Sequence, residues 1–257
     1  MSFKELVEIM ARLRDRETGC PWDLAQDPES LKPYLIEEAY EVVEAIENND
    51  PEAIRDELGD LLFQILFQAR IQEERGKFDI EDVINAIAAK MRRRHPHIFG
   101  DAVAKTADEV RARWEAIKRD EHQENSRGVL EGTPRSLPAL LRAQRIGKKA
   151  SNVGFDWPDV NGAWEKFQEE TRELEQAISS NDNDRIEKEF GDLIFAIVNV
   201  ARHLDINPED ALNNATERFI KRFEYIETSL KNNDQKMEEM PLEALDLLWE
   251  EAKTKFG

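Results

Sequence analysis

Between residues 36 and 46 the apolar side chains Ile36, Ala39, Tyr40, Val43 and Ile46 recur every three or four positions, the spacing of one face of an α-helix. The run ends at Asn48-Asn49-Asp50-Pro51, where Asp50 is placed to cap a following helix and Pro51 suits its first position. That second helix is expected over 51–75. From Leu61 to Phe67 it is apolar nearly all round, the pattern of a helix buried on every side. No stretch alternates apolar and polar residues over a useful length, so strands are not expected. The pattern predicts an all-α fold built from an antiparallel helical hairpin with extra helices, a unit made for a bundle.

The pattern occurs twice. Residues 37–70 and 169–202 align without a gap and agree at 16 of 34 positions, where unrelated segments would share about two. The match continues more weakly, with 78–94 paralleling 206–222 after a four-residue shortening. Each copy is followed by a Trp with a Lys four residues later, Trp114 and Lys118 in the first half, Trp249 and Lys253 in the second. Between the copies, 122–138 is rich in glycine, proline and small polar residues, a composition that breaks helices. Two tandem units are therefore expected at 1–122 and 136–257, joined by a linker at 123–135.

Composition narrows the function classes. The chain of 257 residues carries 36 Lys and Arg against 55 Asp and Glu, a formal net charge of −19. Such a surface repels phosphodiester backbones, so nucleic acid is not an expected partner. Cys20 is the single cysteine, which leaves no intramolecular disulfide and no cysteine-based zinc site. The first residues read as an amphipathic helix rather than a secretory leader, and no apolar run approaches the roughly 18 residues of a membrane span. A soluble cytoplasmic protein without a membrane partner is expected.

The charge becomes informative when placed on the helices. Glu38 and Glu41, three apart, share a helical face, with Glu37 beside them, and Glu57 and Asp60 repeat the spacing on the next helix. The second copy retains all five as Glu169, Glu170, Glu173, Glu189 and Asp192. Carboxylates facing one another across a hairpin would cost several kcal/mol each if buried without a cation. Oxygen-only ligands suit Mg²⁺, with Mn²⁺ as the alternative, over zinc or copper. Gly59 and Gly191 sit beside the acidic pairs, where helix-interior glycine costs about 1 kcal/mol relative to alanine. Close approach of another helix or a ligand would account for them.

The order EExxE, connector, ExxD resembles the signature of the MazG-type, all-alpha nucleoside triphosphate pyrophosphohydrolases. Glu37-Glu38-x-x-Glu41 with Glu57-x-x-Asp60 carries it once, and Glu169-Glu170-x-x-Glu173 with Glu189-x-x-Asp192 carries it again. The likeness extends to GCPWD (19–23), RRRHPHIFGD (92–101), RSLPALLRAQRI (135–146) and NVGFDWPD (152–159), the layout of the two-repeat bacterial members. The resemblance implies Mg²⁺-dependent cleavage of nucleoside triphosphates, ATP among them, between the α and β phosphates, giving monophosphate and pyrophosphate. It also implies a helical bundle completed by dimerisation.

By the same resemblance the metal ligands are Glu170, Glu173, Glu189 and Asp192, with Glu38, Glu41, Glu57 and Asp60 as first-half counterparts. Glu169, or Glu37 in the first half, is free to orient or deprotonate the attacking water. Phosphate needs local cations. Lys166 lies one turn before Glu170, and Arg218, Lys221, Arg222 and Lys253 come after it, with Trp249 where the family holds the nucleotide. Arg218 stands where the family leads one to expect lysine, and the two differ in phosphate geometry. Tyr34 replaces Lys166 in the first half, whereas Lys90 and Arg94 match Arg218 and Arg222. The second half thus has the fuller phosphate-binding set and is expected to be the main catalytic unit.

Competing classes are weaker. There is no G-x-x-x-x-G-K-[ST] and no G-x-G-x-x-G. A di-iron bundle would want Glu-x-x-His on two helices, and none is present; His95-Pro96-His97 reads as a structural turn. The remaining alternative is a non-catalytic or regulatory helical interaction module with a metal-binding acidic cluster. In a mixed case the second half catalyses and the first stabilises or regulates.

Overall fold

A computed structural model describes residues 2–107, 109, 110, 113, 114, 116, 117, 121 and 128–256. The described residues contain no strand. The chain divides into two compact units, Met1–Trp114 and Glu115–Gly257. The linker expected at 123–135 lies partly outside the described residues.

The first unit runs α1 (Phe3–Leu13), α2 (Pro21–Ala25), α3 (Lys32–Glu47), α4 (Pro51–Glu74), α5 (Ile80–Arg94) and α6 (Pro96–Phe99). Its centre is the antiparallel α3–α4 hairpin, with α1 and α5 also against α4. The turn forms as its residues dictate: Asn49 takes left-handed backbone (φ 52°), and the Asp50 side chain accepts from the backbone N–H groups of Glu52 and Ala53. Met10, Leu31, Leu66, Phe67 and Ile71 form the buried core, with Leu6, Val7, Phe63 and Ile80 packed around it. His95 closes α5, its Nδ1 2.8 Å from the Met91 carbonyl, so it serves the helix end.

The second unit runs α7 (Ala139–Ser151), α8 (Val160–Ser180), α9 (Asn183–His203), α10 (Pro208–Asn232), a 3₁₀ turn (Met237–Glu239) and α11 (Leu242–Phe256). The α8–α9 hairpin repeats α3–α4, with Asn181 left-handed (φ 55°) and Asp182 as cap. Ala163, Ala177 and Ala196 are buried along the hairpin, and such small side chains let two helices approach closely. α7 packs on α9 and α10, and α11 on α10.

The structure places the apolar stripe of α3 and corrects the expectation for α4. The apolar stripe of α3 is open: Ile36, Tyr40, Val43 and Ile46 are exposed, while Val42 and Ala45 are buried. The face turned to α4 is the one that carries Glu38. Nor is α4 buried on every side, since Leu58 and Ile65 are exposed and the covered residues are Leu66, Phe67, Ala69 and Ile71. Periodicity identifies an apolar face but not the neighbour that covers it.

Candidate metal centre

In the second unit Glu170 and Glu173 lie on α8, and Glu189 and Asp192 on α9. The hairpin brings one carboxylate oxygen from each of Glu170, Glu173 and Glu189 within 4.8 Å of one another. Glu170 and Glu189 are each only 5% exposed, and Glu189 Oε2 is buried with no hydrogen-bond partner. An ionised oxygen in that state is strongly unfavourable unless something positive meets it. Asp192 stands outside the trio, exposed, one turn along α9 from Lys188.

Three cations line this cluster. Lys166 Nζ reaches Glu170 Oε1 at 2.7 Å and Glu169 Oε1 at 2.8 Å. Lys188 Nζ lies 3.4 Å from Glu189 and 3.5 Å from Asp192, and Arg185 Nε lies 3.8 Å from Glu189. The hydrogen bond from Lys166 holds the Glu169 carboxyl below its usual range, and the two carboxylates hold Lys166 well above its own. The charge of Glu189 and hydrogen bonds to the acids push Lys188 up as well. Arg185 and Lys188 are absent from the residues singled out on sequence. A signal exists, each standing four residues before an acid, but such pairs are usually a surface motif.

The first unit gathers Glu38, Glu41 and Glu57 within the same 4.8 Å, less buried than their counterparts. The positions of Lys166, Arg185 and Lys188 are taken by Tyr34, Ala53 and Asp56. Burial, then the charge of Asp60 and the proximity of Glu41, push the Glu38 carboxyl above its ordinary range. Glu57 is raised by desolvation and by Glu41, Asp60, Asp56 and Glu44. These carboxylates repel one another, and among the described residues no lysine is paired with them.

The donor set is oxygen only in both units, which fits a hard divalent cation. The partnerless Glu189 Oε2 fits the same group. Metal ligands would be Glu170, Glu173 and Glu189, with Asp192 one helical turn from Glu189.

The other residues singled out lie on α10 and α11. α10 presents Arg218 and Lys221 exposed and Arg222 half-buried, its guanidinium 5.7 Å from the Trp249 ring centroid on α11. The Phe219 ring lies 5.1 Å from the same indole. Lys253 is tied to Glu250 on its own helix at 2.5 Å. In the first unit Arg94 lies 5.3 Å from the Trp114 ring, the same pairing; Lys118 lies outside the described residues. Gly59 and Gly191 show no close approach within the chain, since a Cβ added at either meets nothing within 4 Å.

The family model of the MazG nucleotide pyrophosphohydrolase domain matches the chain twice, over residues 26–99 and 163–227. The chain is 46% identical over 98% of its length to the nucleoside triphosphate pyrophosphohydrolase/pyrophosphatase MazG of Thermotoga maritima, of which it covers 95%. It is also 46% identical to the nucleoside triphosphate pyrophosphohydrolase of Escherichia coli, over 96% of this chain and 95% of that one. Both matched segments contain one of the acidic clusters.

Proposed function

Because the chain belongs to the MazG nucleotide pyrophosphohydrolase family, we propose that it cleaves nucleoside triphosphates between the α and β phosphates with Mg²⁺, using the second of two units read as 1–122 and 136–257. The observation that carries this reading is the buried Glu170–Glu173–Glu189 cluster with Lys166, Arg185 and Lys188 around it. It joins ligands for a divalent ion to cations for phosphate.

When bound, the divalent ion polarises phosphoryl oxygens and lowers the pKa of a water. Glu170, Glu173, Glu189 and Asp192 would hold it, and its charge would compensate the buried Glu189 Oε2, which has no hydrogen-bond partner. Glu169, on the exposed side of the cluster, orients the water and accepts its proton. The water oxygen bonds to one of the two phosphorus atoms flanking the α–β bridge. The bridging bond breaks, and its electron pair leaves on the departing phosphate oxygen. Lys166, Arg185 and Lys188 neutralise charge on the phosphates, and Arg218, Lys221, Arg222, Lys253 and Trp249 hold the nucleotide. Most of these groups recognise phosphate, which carries no base information, so many NTPs and dNTPs, ATP among them, are substrates.

The open apolar faces define the assembly we infer. Ile36, Tyr40, Val43 and Ile46 on α3, with Phe190, Ile194 and Ile197 on α9, are exposed, and a second copy covers them in a homodimer. Among the described residues no helix is long and apolar enough to cross a membrane, consistent with the cytoplasmic setting we propose.

Product analysis tests the reading. Incubation with each common NTP and dNTP and Mg²⁺ should give monophosphate and pyrophosphate in equal amounts. Release of orthophosphate and nucleoside diphosphate instead would overturn the position of cleavage, and no hydrolysis at all would overturn the reading and favour the interaction module.

A further inference from the structure

The motif NVGFDWPD is left unused by the chemistry, yet Asp156 within it is heavily engaged. Its Oδ1 accepts from Arg202 Nη2 at 2.5 Å and from the Trp157 backbone N–H at 2.9 Å, and lies 3.1 Å from His203 Nε2. Its Oδ2 accepts from Arg202 Nη1 at 2.9 Å. The three side chains are 12% (Arg202), 11% (His203) and 21% (Asp156) exposed. Arg202 Nε also donates to Asn199 Oδ1 at 2.7 Å, and α7 presses on the pair at Gly147, where an added Cβ would stand 3.4 Å from both groups.

This clamp joins the segment before α8 to the last turn of α9. Two contacts hold the chain between Asp156 and α8. The Trp157 ring lies over Gly162 so closely that a Cβ there would stand 2.3 Å from it, and Asp159 caps α8 by accepting from Asn161 N–H at 2.8 Å. Lys166, Glu169 and Glu170 come within the next turns.

The first unit solves the same problem with other residues. Arg14 donates to the backbone carbonyls of Asp23 and Gln26, in and just after GCPWD, and forms a two-pronged pair with Glu74 at the end of α4. Two diverged repeats each pin the segment ahead of the acidic helix to the end of its partner helix through a largely buried arginine–carboxylate pair. A device reached twice with different residues points to the geometry it maintains.

We propose that Asp156 is a positioning residue: it fixes the register of α8 on α9 and so the spacing of Glu170 and Glu173 against Glu189 and Asp192. This rests on the reading of that cluster as the metal centre. Carboxylate ligands must be held to about half an ångström, and loss of a supporting contact costs roughly tenfold or more in metal affinity.

The test is Mn²⁺ binding to the nucleotide-free full chain, followed by electron paramagnetic resonance in a Glu41→Gln background that silences the first cluster. Asp156→Ala should weaken Mn²⁺ binding about tenfold and raise the Mg²⁺ concentration for half-maximal hydrolysis by a similar factor. The exchange Asp156→Arg with Arg202→Asp should restore most of both. If Asp156→Ala loses helical circular dichroism, Arg202→Lys carries the test, since it keeps the charge but not the fork and should weaken binding about threefold. Unchanged Mn²⁺ affinity in a folded variant would overturn the proposal. Absence of any Mn²⁺ binding to the Glu41→Gln protein would overturn it together with the metal reading. Mn²⁺ binding without NTP hydrolysis would sink the proposed function alone, with this inference decided by the Mn²⁺ shift.

Discussion

The two acidic clusters hold corresponding carboxylates and differ in their surroundings. Around Glu170, Glu173 and Glu189 stand Lys166, Arg185 and Lys188; around Glu38, Glu41 and Glu57 the same positions hold Tyr34, Ala53 and Asp56. The surroundings act on acids at non-corresponding positions of the two units. Glu38 and Glu57 are pushed up by burial and mutual repulsion, whereas Glu169 is held down by Lys166. A triphosphate would bring several negative charges to either cluster, and only the trio of the second unit has Lys166, Arg185 and Lys188 against its acids. Both copies retain the acidic positions, and they differ at the three helical positions that hold cations in the second.

The largest effect that would sharpen this contrast concerns how each hairpin is held. Arg14→Met removes the cation from Glu74 and from the carbonyls of Asp23 and Gln26, and should destabilise the first unit by about 3 kcal/mol. Urea unfolding monitored by tryptophan fluorescence would read it. A change within about 0.5 kcal/mol, the noise of a surface substitution, would mean the pair contributes nothing. Next in size is Lys166→Tyr, which gives the second unit the first unit's residue. It should lower kcat/KM for ATP roughly a hundredfold, about 2.7 kcal/mol, with the fold intact by circular dichroism. Retained activity would show that the missing lysine is not what separates the units.

Smaller again is the reverse graft. Tyr34→Lys with Ala53→Arg and Asp56→Lys should bring the Glu38 and Glu57 carboxyls down toward their ordinary range and raise Mg²⁺-ATP binding by the first unit about tenfold, read by calorimetry on a Glu173→Gln background. No gain would place the difference elsewhere, with Met91 and His95 standing where the second unit has Phe219 and Phe223. The finest test is a pH titration of the side-chain carboxyls by NMR without divalent ions. Glu38 should titrate above the ordinary glutamate value of 4.5 and Glu169 below it. A raised folded-state pKa means the proton is bound more tightly when folded. The first cluster therefore loses stability as pH rises through the Glu38 pKa and stays destabilised above it. The depressed Glu169 does the opposite: its contribution is present above 4.5 and is lost as pH falls through its lower folded value. Mg²⁺ should move Glu38 down, and identical titration of the two acids would break the comparison.

Much of this was legible in the sequence, for physical reasons that can be named. The helical hairpin follows from the spacing of Ile36, Tyr40 and Val43 and from the Asn49-Asp50 turn, all local signals. The acidic cluster was legible because the two copies test each other: surface glutamates drift, yet both sets stand in register. Which face of α3 turns inward was not legible, because an apolar stripe looks the same whether it meets its own chain or a second copy. Asp156 with Arg202 was not legible either, since 46 residues separate them and only the path of the chain brings them together. Arg185 and Lys188 lay in between, visible as spacing but indistinguishable from solvent-exposed ion pairs until Glu189 was seen to be buried.

The central claim is that the second unit does the chemistry, and Glu173→Gln beside Glu41→Gln tests it most directly. Each removes one charge from one cluster and leaves its volume unchanged. With saturating Mg²⁺ and ATP, pyrophosphate release by Glu173→Gln should fall by about a hundredfold or more, while Glu41→Gln keeps at least about half the parent rate. Loss of activity in Glu41→Gln with Glu173→Gln intact would contradict the account and assign catalysis to the first unit.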